Sequence, residues 1–338
     1  MTSESYYEPL TVSVTAEDAG KTVRTVLERR LGVSRRLLSK LKLTDEGITL
    51  NGVRVYTTAR VKEGDIIRIR MARESSDDIL PEPMPLSIVY EDADLLVVDK
   101  PAGLIVHPTH GHYTGTLAGG VVHHWQERGE IVRFRPVNRL DEHTSGLIAI
   151  AKNPYVHQQL SEQHRNGTIR KVYRAYVYGV PDPPAGTVDA PIGRTPGMPH
   201  VRTVLPEGYP SVTHYATEEI FGGGRAAMVR LRLETGRTHQ IRVHMKHIGC
   251  PLIGDGMYGP EEGRKVPGWE EAAGRQALHA ETLGLLHPVR RERMEWTSPL
   301  PPELAALESR LRQANDVPAD APADAPANAP ADSPADSP

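Results

Sequence analysis

The chain of 338 residues is longer than a typical single domain, and its 38% hydrophobic content is enough to form a core. Its one cysteine, Cys250, excludes an internal disulfide and a cysteine-based zinc site, and it fits a reducing cytoplasm. The polar, acidic N-terminus lacks the order of a secretory signal, and no apolar run approaches the roughly 18 residues of a membrane span. We therefore expect a cytoplasmic protein with no membrane partner.

The net charge of −3 is unevenly distributed along the chain. The segment after Asn315 contributes five Asp and no Lys or Arg, so the rest of the chain carries +2. Residues 17–71 hold 13 Lys and Arg against 7 Asp and Glu. A basic module of this kind suggests a polyanionic partner such as nucleic acid, and the alternative is an ordinary solvated basic surface.

The first region, residues 11–73, is predicted to form two helices followed by short strands. Apolar residues at helical spacing predict a helix over residues 16–31 that ends at Gly32. Ser34 is the expected N-cap of a second helix over 35–43. The dipeptide Asn51-Gly52 between two short apolar runs predicts a hairpin.

This arrangement resembles the alpha-L RNA-binding domain, which is shared with a small-subunit ribosomal protein. The matching segments are 34–36, 50–52 and 61–67, whereas residues 21–24 depart from the Arg-Leu-Asp that the family usually carries. The resemblance implies that Arg35, Arg36 and Lys40 bind RNA. A helix N-terminus flanked by arginines is also suited to holding a phosphate.

Three further segments complete the predicted organisation. Residues 74–85 are rich in charge and proline, so we expect an exposed hinge between domains. Short strands separated by Gly and Pro over 86–300 predict an α+β catalytic domain around a mixed, mostly antiparallel sheet with helices over 154–166 and 238–248. Residues 301–338 are predicted to hold a short helix over 302–314 and a disordered Pro/Ala/Asp tail.

Asp141 is the first candidate for chemistry. It follows Arg139 by two residues, in a turn before the apolar run 147–151, and a nearby guanidinium favours an ionised carboxylate. The alternative is an Asp that caps the turn at 144–146. Glu142 should point elsewhere because it is adjacent to Asp141, which disfavours a paired-carboxylate site.

Two further segments carry candidate residues. In the predicted strand 171–179, Tyr173 should lie on one face, and Tyr176 and Tyr178 on the other, where we expect packing. In the segment 233–244, Gly236 permits a turn and Arg237 should begin a helix, where a carboxylate partner is favoured.

Histidines offer only an alternative reading of the chain as a metalloprotein. His239 and His244 are five residues apart without a carboxylate beside them, so packing or RNA contact is the expected role. His107, His110 and His112 in a Pro/Gly loop form the best alternative metal site. No nucleotide-binding glycine motif is present, and we expect neither a cofactor nor a metal.

Five motifs in order resemble the RluA-type pseudouridine synthases, over about residues 86–288. They are 99–103 with 106–108, 138–152, 171–173, 235–244 and 275–280. The resemblance implies that Asp141 is the catalytic aspartate, acting as nucleophile or base, with Tyr173, Arg237 and Arg139 as catalytic partners, and that Arg237 pairs with Asp141. It also implies substrate contacts from four residues: Asn138, where the family often carries His, Leu278, His107 and Lys100.

The implied reaction converts a flipped uridine in RNA to its carbon-linked isomer. Asp141 would either attack the sugar carbon or remove the neighbouring sugar proton. Large-subunit ribosomal RNA is the expected substrate because of the N-terminal domain, and transfer RNA is the alternative. A non-catalytic RNA-binding assembly factor and an RNA-glycosidic hydrolase are the rival functions. A monomer is expected.

Overall fold

The computed structural model describes residues 6–109 and 111–315. The predicted Pro/Ala/Asp tail lies outside the described residues from 316 onward. Among the described residues, no helix has the length and apolar character needed to cross a bilayer.

The N-terminal unit combines two helices with a four-stranded antiparallel sheet. Its elements are β1 (Leu10–Ser13), α1 (Val23–Leu31), α2 (Arg35–Leu41), β2 (Ile48–Leu50), β3 (Val53–Arg54) and β4 (Ile66–Ile69), with sheet order β1-β4-β2-β3. The hairpin prediction is confirmed, because Asn51 and Gly52 adopt φ of 50° and 82° between β2 and β3.

The first predicted helix begins later than its apolar spacing indicated. Residues 16–18 form a separate 3₁₀ turn, and Gly20 follows with φ of 78°. Thr22 then caps α1 by accepting a hydrogen bond from the backbone N–H of Thr25. The left-handed glycine and the threonine cap together divide the segment in two.

The C-terminal unit is built on a nine-stranded sheet. Its strands are β5 (Ser87–Glu91), β6 (Leu95–Lys100), β7 (Ser145–Ala151), β8 (Arg170–Tyr178), β9 (Ala185–Asp189), β12 (Val212–Phe221), β13 (Ala226–Leu233), β14 (Leu278–Leu286) and β15 (Arg293–Thr297). The order is β5-β6-β7-β14-β8-β13-β12-β9, and β15 pairs with β14 outside this path. Only the β7–β14 pair in this sheet is parallel, so the predicted mixed, mostly antiparallel α+β class is confirmed.

A two-stranded ribbon and five helices complete the described part of this unit. They are β10 (Ile192–Thr195), β11 (Met198–Val204), α3 (Leu117–Glu127), α4 (Pro154–Arg165), α5 (Gln240–His247), α6 (Pro267–Ala273) and α7 (Pro302–Gln313). Helices α4 and α7 lie where the sequence predicted them. Helix α5 begins two residues later than predicted.

The two faces of the sheet support different cores. Alternate residues of β6 and β7 divide between them: Leu96 and Ile148 join a core with α3 and α5, whereas Leu95 and Leu147 join a core with α4. This second core continues into the N-terminal unit through α1 and α2. The C-terminal and N-terminal units therefore share one continuous apolar interior.

The segment 74–85 is packed against the C-terminal unit, so the expectation of an exposed hinge is wrong. Ile79 is 5% exposed and belongs to the core beside α3. Ser76 accepts a hydrogen bond from the N–H of Phe134 at 2.8 Å, and Glu74 pairs with Arg135. The segment is polar, as its composition indicated, but the polar side chains of Ser76 and Glu74 have partners on the C-terminal unit.

Candidate active site

A cleft of about 740 Å³ opens beside the turn that carries Asp141. Its lining contains four Lys or Arg side chains and a single carboxylate, that of Asp141. The four cations are Arg139, Lys171, Arg237 and Arg242. The cleft has the size of a small-molecule site and a positive electrostatic character suited to an anionic ligand.

Two buried cations hold the Asp141 turn in place. The Lys100 ammonium donates to the carbonyls of Pro101, Leu104 and Glu142, each at 2.8 Å. The Arg275 guanidinium donates to the carbonyl of His143 at 2.9 Å. The backbone of the residues directly after Asp141 is therefore held in place by hydrogen bonds from these two side chains.

Lys100 is a positioning residue, so its predicted substrate contact is wrong. The side chain is 1% exposed and its three N–H groups are all used by carbonyl oxygens. Burial lowers the pKa of Lys100 to about 7. An uncharged amine has only two N–H groups, however, so these three bonds require the ammonium form.

Asn138 lines the cleft, where its predicted contact with substrate stays a prediction, and its amide is also held by the backbone. Its amide donates to the carbonyl of Leu147 at 3.2 Å and accepts from the N–H of Ala149 at 3.0 Å. Both ends of the side chain are thus engaged by β7. Arg139, the next residue, is exposed at the rim of the cleft.

Arg242 is the partner of Asp141, and the predicted pairing with Arg237 is wrong. The Arg242 guanidinium lies 3.2 Å from the Asp141 carboxylate. It also forms a two-bond fork with Asp255, at 2.7 and 2.8 Å, and it stacks 4.9 Å from the centre of the Tyr258 ring. Asp255 is 1% exposed, so Arg242 is held rigidly where it meets Asp141.

Arg237 lies outside α5, which begins at Gln240. Gln240 accepts from the Arg237 N–H at 2.9 Å and anchors this loop to β12 through Val212. The Arg237 guanidinium instead lies over the Tyr209 ring at 5.7 Å and remains exposed at the rim of the cleft. The first residues that the sequence pattern had assigned to the helix instead belong to the turn that follows Gly236.

The apolar wall of the cleft includes Tyr173 and Leu278, which are 6% and 4% exposed. Burial, followed by the charge of Asp141, raises the pKa of Tyr173. The phenol is therefore neutral at physiological pH, and it offers a ring surface and a hydroxyl rather than a phenolate base. Tyr176 and Tyr178 lie on the opposite face and pack in a separate core, as predicted.

The histidines of these motifs are held by protein groups. His244 is 0% exposed and bonds Thr213 and the carbonyl of Ala190. His239 lies in the cleft wall and bonds the hydroxyl of Tyr258 at 2.8 Å. His244 therefore packs in the interior, whereas RNA contact stays a prediction for His239.

His107, the histidine expected to bind substrate, lines the cleft and stacks near Phe134 at 5.9 Å. Its predicted metal-site partner His110 lies outside the described residues. Within the described ranges, one group of three ligand-type side chains is close enough to share an ion, and it lies away from the cleft: Asp92, Asp94 and His287.

The basic residues of α2 lie outside the cleft. Arg35, Arg36 and Lys40 are exposed, and Lys40 lies 3.4 Å from Glu74. The N-terminal end of α2 faces α4, because the Ser34 N–H donates to Gln158 at 2.9 Å. This contact disfavours the expected phosphate site at the helix end, and it leaves the exposed side chains for RNA.

Arg242 and Asp255 are the site residues to which the sequence reasoning gave no role. A signal was present for Arg242, since an arginine between Ile241 and Val243 in a helix is placed for burial and then needs a carboxylate. Asp255 lies between two glycines in a loop, and only the fold brings it to Arg242.

Comparison with known proteins identifies the family of this chain. Residues 94–247 match the family model described as RNA pseudouridylate synthase. An uncharacterized RNA pseudouridine synthase of Bacillus subtilis, YjbO, is 40% identical over 82% of this chain and 95% of its own length. The chain belongs to the RNA pseudouridylate synthase family. It is therefore an isomerase that acts on uridine in RNA.

Two further similarities refine this assignment. Ribosomal large subunit pseudouridine synthase D of Pseudomonas aeruginosa is 39% identical over 80% of this chain and 86% of that protein. The solved structure titled human RNA Pseudouridylate Synthase Domain Containing 4 is 26% identical, with a TM-score of 0.54 over 67% of this chain and 93% of that one. The mixed α+β fold is thus that of the pseudouridine synthases.

Proposed function

We propose that this pseudouridine synthase acts on specific uridines of large-subunit ribosomal RNA, with Asp141 as the catalytic carboxylate. The observation that carries the proposal is that Asp141, as the only carboxylate lining a cationic cleft, lies 3.2 Å from a fixed guanidinium. The likeness to a ribosomal large subunit pseudouridine synthase supports the choice of substrate.

The reaction breaks the bond between the sugar and nitrogen 1 of uracil and forms one from the sugar to carbon 5, while carbon 5 loses its hydrogen as a proton and nitrogen 1 gains a proton. A base within folded RNA must first leave its stack, so base flipping is part of the proposal. Arg139 is exposed at the rim, where its guanidinium can occupy the space that the base leaves. Tyr173 and Leu278 supply the apolar surface against which the flipped base lies.

Asp141 acts on the sugar as a carboxylate, and Arg242 keeps that carboxylate ionised and oriented before the step. Because Asp255 fixes Arg242 from the other side, the guanidinium does not need to reorganise when the charge changes. The neutral Tyr173 phenol stacks on the base, and its raised pKa argues against a phenolate as the acceptor of the carbon 5 proton.

The N-terminal unit, residues 11–73, is proposed to be an alpha-L RNA-binding domain that adds contacts to the RNA backbone. Its exposed Arg35, Arg36 and Lys40 support this role. The residues 86–300 are proposed to be the catalytic domain. Because both share a continuous core, they present one surface to the RNA.

The test is to map pseudouridines in ribosomal RNA from cells with and without the gene. We expect one or more large-subunit positions to lose pseudouridine in the deletion strain and to regain it with the wild-type gene. An unchanged ribosomal map together with a lost transfer RNA position would overturn the substrate assignment.

A further inference from the structure

Lys171 is a buried cation of the cleft that the mechanism above does not use. Lys171 is 6% exposed, and its ammonium lies 2.8 Å from Nε2 of His164. In the described part of the chain it has no carboxylate partner, and His164 is its only hydrogen-bond partner. Two of its three N–H groups thus lack an acceptor, and both Lys171 and His164 line the cleft.

An unpaired buried ammonium is costly, so it implies a compensating anion. Burial lowers the pKa of Lys171 to about 8. Burial and the charge of Lys171 also lower the pKa of His164 to about 4, which leaves this imidazole neutral and able to accept. A lysine whose only role was packing would be less favourable here than an apolar residue, or than a lysine paired with a carboxylate. The anion is therefore expected from outside the protein.

The position of Lys171 relative to Asp141 indicates which part of an RNA it can reach. Lys171 and Tyr173 lie on the same face of β8, about 6.6 Å apart along the strand. The charge of Asp141 contributes to the raised pKa of Tyr173, whereas burial alone lowers the pKa of Lys171, so Lys171 lies farther from Asp141 along the cleft. A nucleotide whose base rests on Tyr173 thus brings a neighbouring phosphate toward Lys171.

The approach to Lys171 is open because Gly236 has no side chain. A Cβ at Gly236 would lie 3.5 Å from the His164 ring and 4.0 Å from the Lys171 ammonium. Arg237 follows at the exposed rim, with its guanidinium over Tyr209. A second cation therefore flanks the same opening, and no carboxylate among the lining residues competes with an incoming anion at that end.

We propose that Lys171, held by His164 and flanked by Arg237, binds a phosphate of the RNA backbone directly adjacent to the target uridine. This phosphate subsite rests on the proposed function, because it uses the cleft in which the uridine reacts. It makes Lys171 a substrate-binding residue that sets the depth to which the flipped nucleotide enters.

The experiment uses synthetic RNA fragments centred on a uridine that the wild-type enzyme converts. One fragment is unmodified, and two carry a neutral methylphosphonate linkage, either before or after the target uridine. Each is tested with the full-length wild type, Lys171→Met and Lys171→Arg. Lys246→Met, which removes an exposed lysine on α5 outside the cleft, is the matched control.

We expect one of the two neutral linkages to lower the wild-type kcat/KM about 10- to 100-fold, the usual effect of losing a charge-assisted hydrogen bond. Lys171→Met should lower kcat/KM on unmodified RNA by a similar factor, mainly through KM, and should lose nothing further on that neutral linkage. Lys171→Arg should recover part of the loss. Lys246→Met should respond to the linkages as the wild type does.

Two results would overturn the subsite. One is a wild type that is indifferent to both neutral linkages, and the other is a Lys171→Met variant that loses as much as the wild type on each of them. Failure of the proposed function is distinguishable, because the wild type would then form no pseudouridine in unmodified RNA. A thermal melt of each variant separates unfolding from lost binding.

Discussion

Replacing Arg242 with lysine isolates the role of the guanidinium that links Asp141 to Asp255. The arginine makes one hydrogen bond to Asp141 and two to Asp255, and its residue is 6% exposed. Lysine keeps the charge but lacks the fork, so it can satisfy one carboxylate at a time. A charge-assisted hydrogen bond contributes about 1.5–3 kcal/mol. We expect the free energy of unfolding to fall by about 3–5 kcal/mol, as for a broken buried pair.

The same substitution should lower kcat about 10- to 100-fold, because the bond to Asp141 is lost or misaligned. The assay follows release of tritium from RNA labelled at carbon 5 of uridine, since that hydrogen leaves in the reaction. Unfolding in urea gives the stability separately. Asp255→Asn should act in the same direction, because it frees Arg242 on the side away from Asp141.

Arg237→Lys is the informative comparison for this prediction. Arg237 lies at the rim and does not contact Asp141, so its replacement should affect KM more than kcat. The reasoning is refuted if Arg242→Lys retains kcat within about twofold of wild type while remaining folded. It is also refuted if Arg237→Lys lowers kcat more than Arg242→Lys does.

Three further predictions concern stability. Lys100→Met should lower the free energy of unfolding by about 2–5 kcal/mol in urea, because it removes a buried ammonium that donates to three backbone carbonyls, whereas Lys62→Met on the exposed surface should change it by less than about 0.5 kcal/mol. Burial opposes ionisation of Asp92, but hydrogen bonds led by that of a buried histidine lower its pKa, so its contribution is fully present above about pH 4 and fades only as the pH falls further, toward the lowered pKa of the folded state; Asp92→Asn should therefore destabilise the protein at pH 7 and progressively less as the pH is lowered below about 4 in urea titrations. Because both units share one core, the wild type should melt in a single calorimetric transition, and Gln158→Ala with Gln159→Ala should lower its midpoint; two separated transitions in the wild type would contradict this.

Local periodicity was enough to predict several elements of the fold. The alternation along β8 placed Tyr173 on one face and Tyr176 on the other, and the structure confirms both. Helix α4 follows directly from Asn153, which caps it, and from proline at its first position. Such signals depend on neighbours in sequence, and therefore a single sequence contains them.

Helix α3 and the packing of the 74–85 segment depended on contacts that the sequence does not reveal. Gly119 and Gly120 lower the helix propensity of α3, so no helix was predicted there. A Cβ at Gly120 would lie 2.4 Å from Met84, and one at Gly119 would lie 2.9 Å from the carbonyl of Leu80. Because Gly119 and Gly120 have no side chains, the segment 74–85 can pack on α3. The glycines of the helix and the packing of the segment therefore depend on each other.

The site was predicted in part for the same reason. Asp141 and Tyr173 lie in local motifs, and the cleft contains both. The partner of Asp141 was misassigned because Arg237 and Arg242 lie five residues apart in one motif, and only the start of α5 decides which of them reaches the carboxylate. Lys100 was interpreted as a substrate contact, but its three N–H groups donate to backbone carbonyls.

The central claim is that the Asp141 carboxylate performs the isomerisation. The most direct measurement uses an RNA that contains the mapped uridine, labelled with tritium at carbon 5, and an excess of the Asp141→Asn variant. The quantity measured is the tritium released. We predict no release above background, with the dissociation constant for the RNA within about threefold of wild type. Release at the wild-type rate by the folded variant would contradict the account.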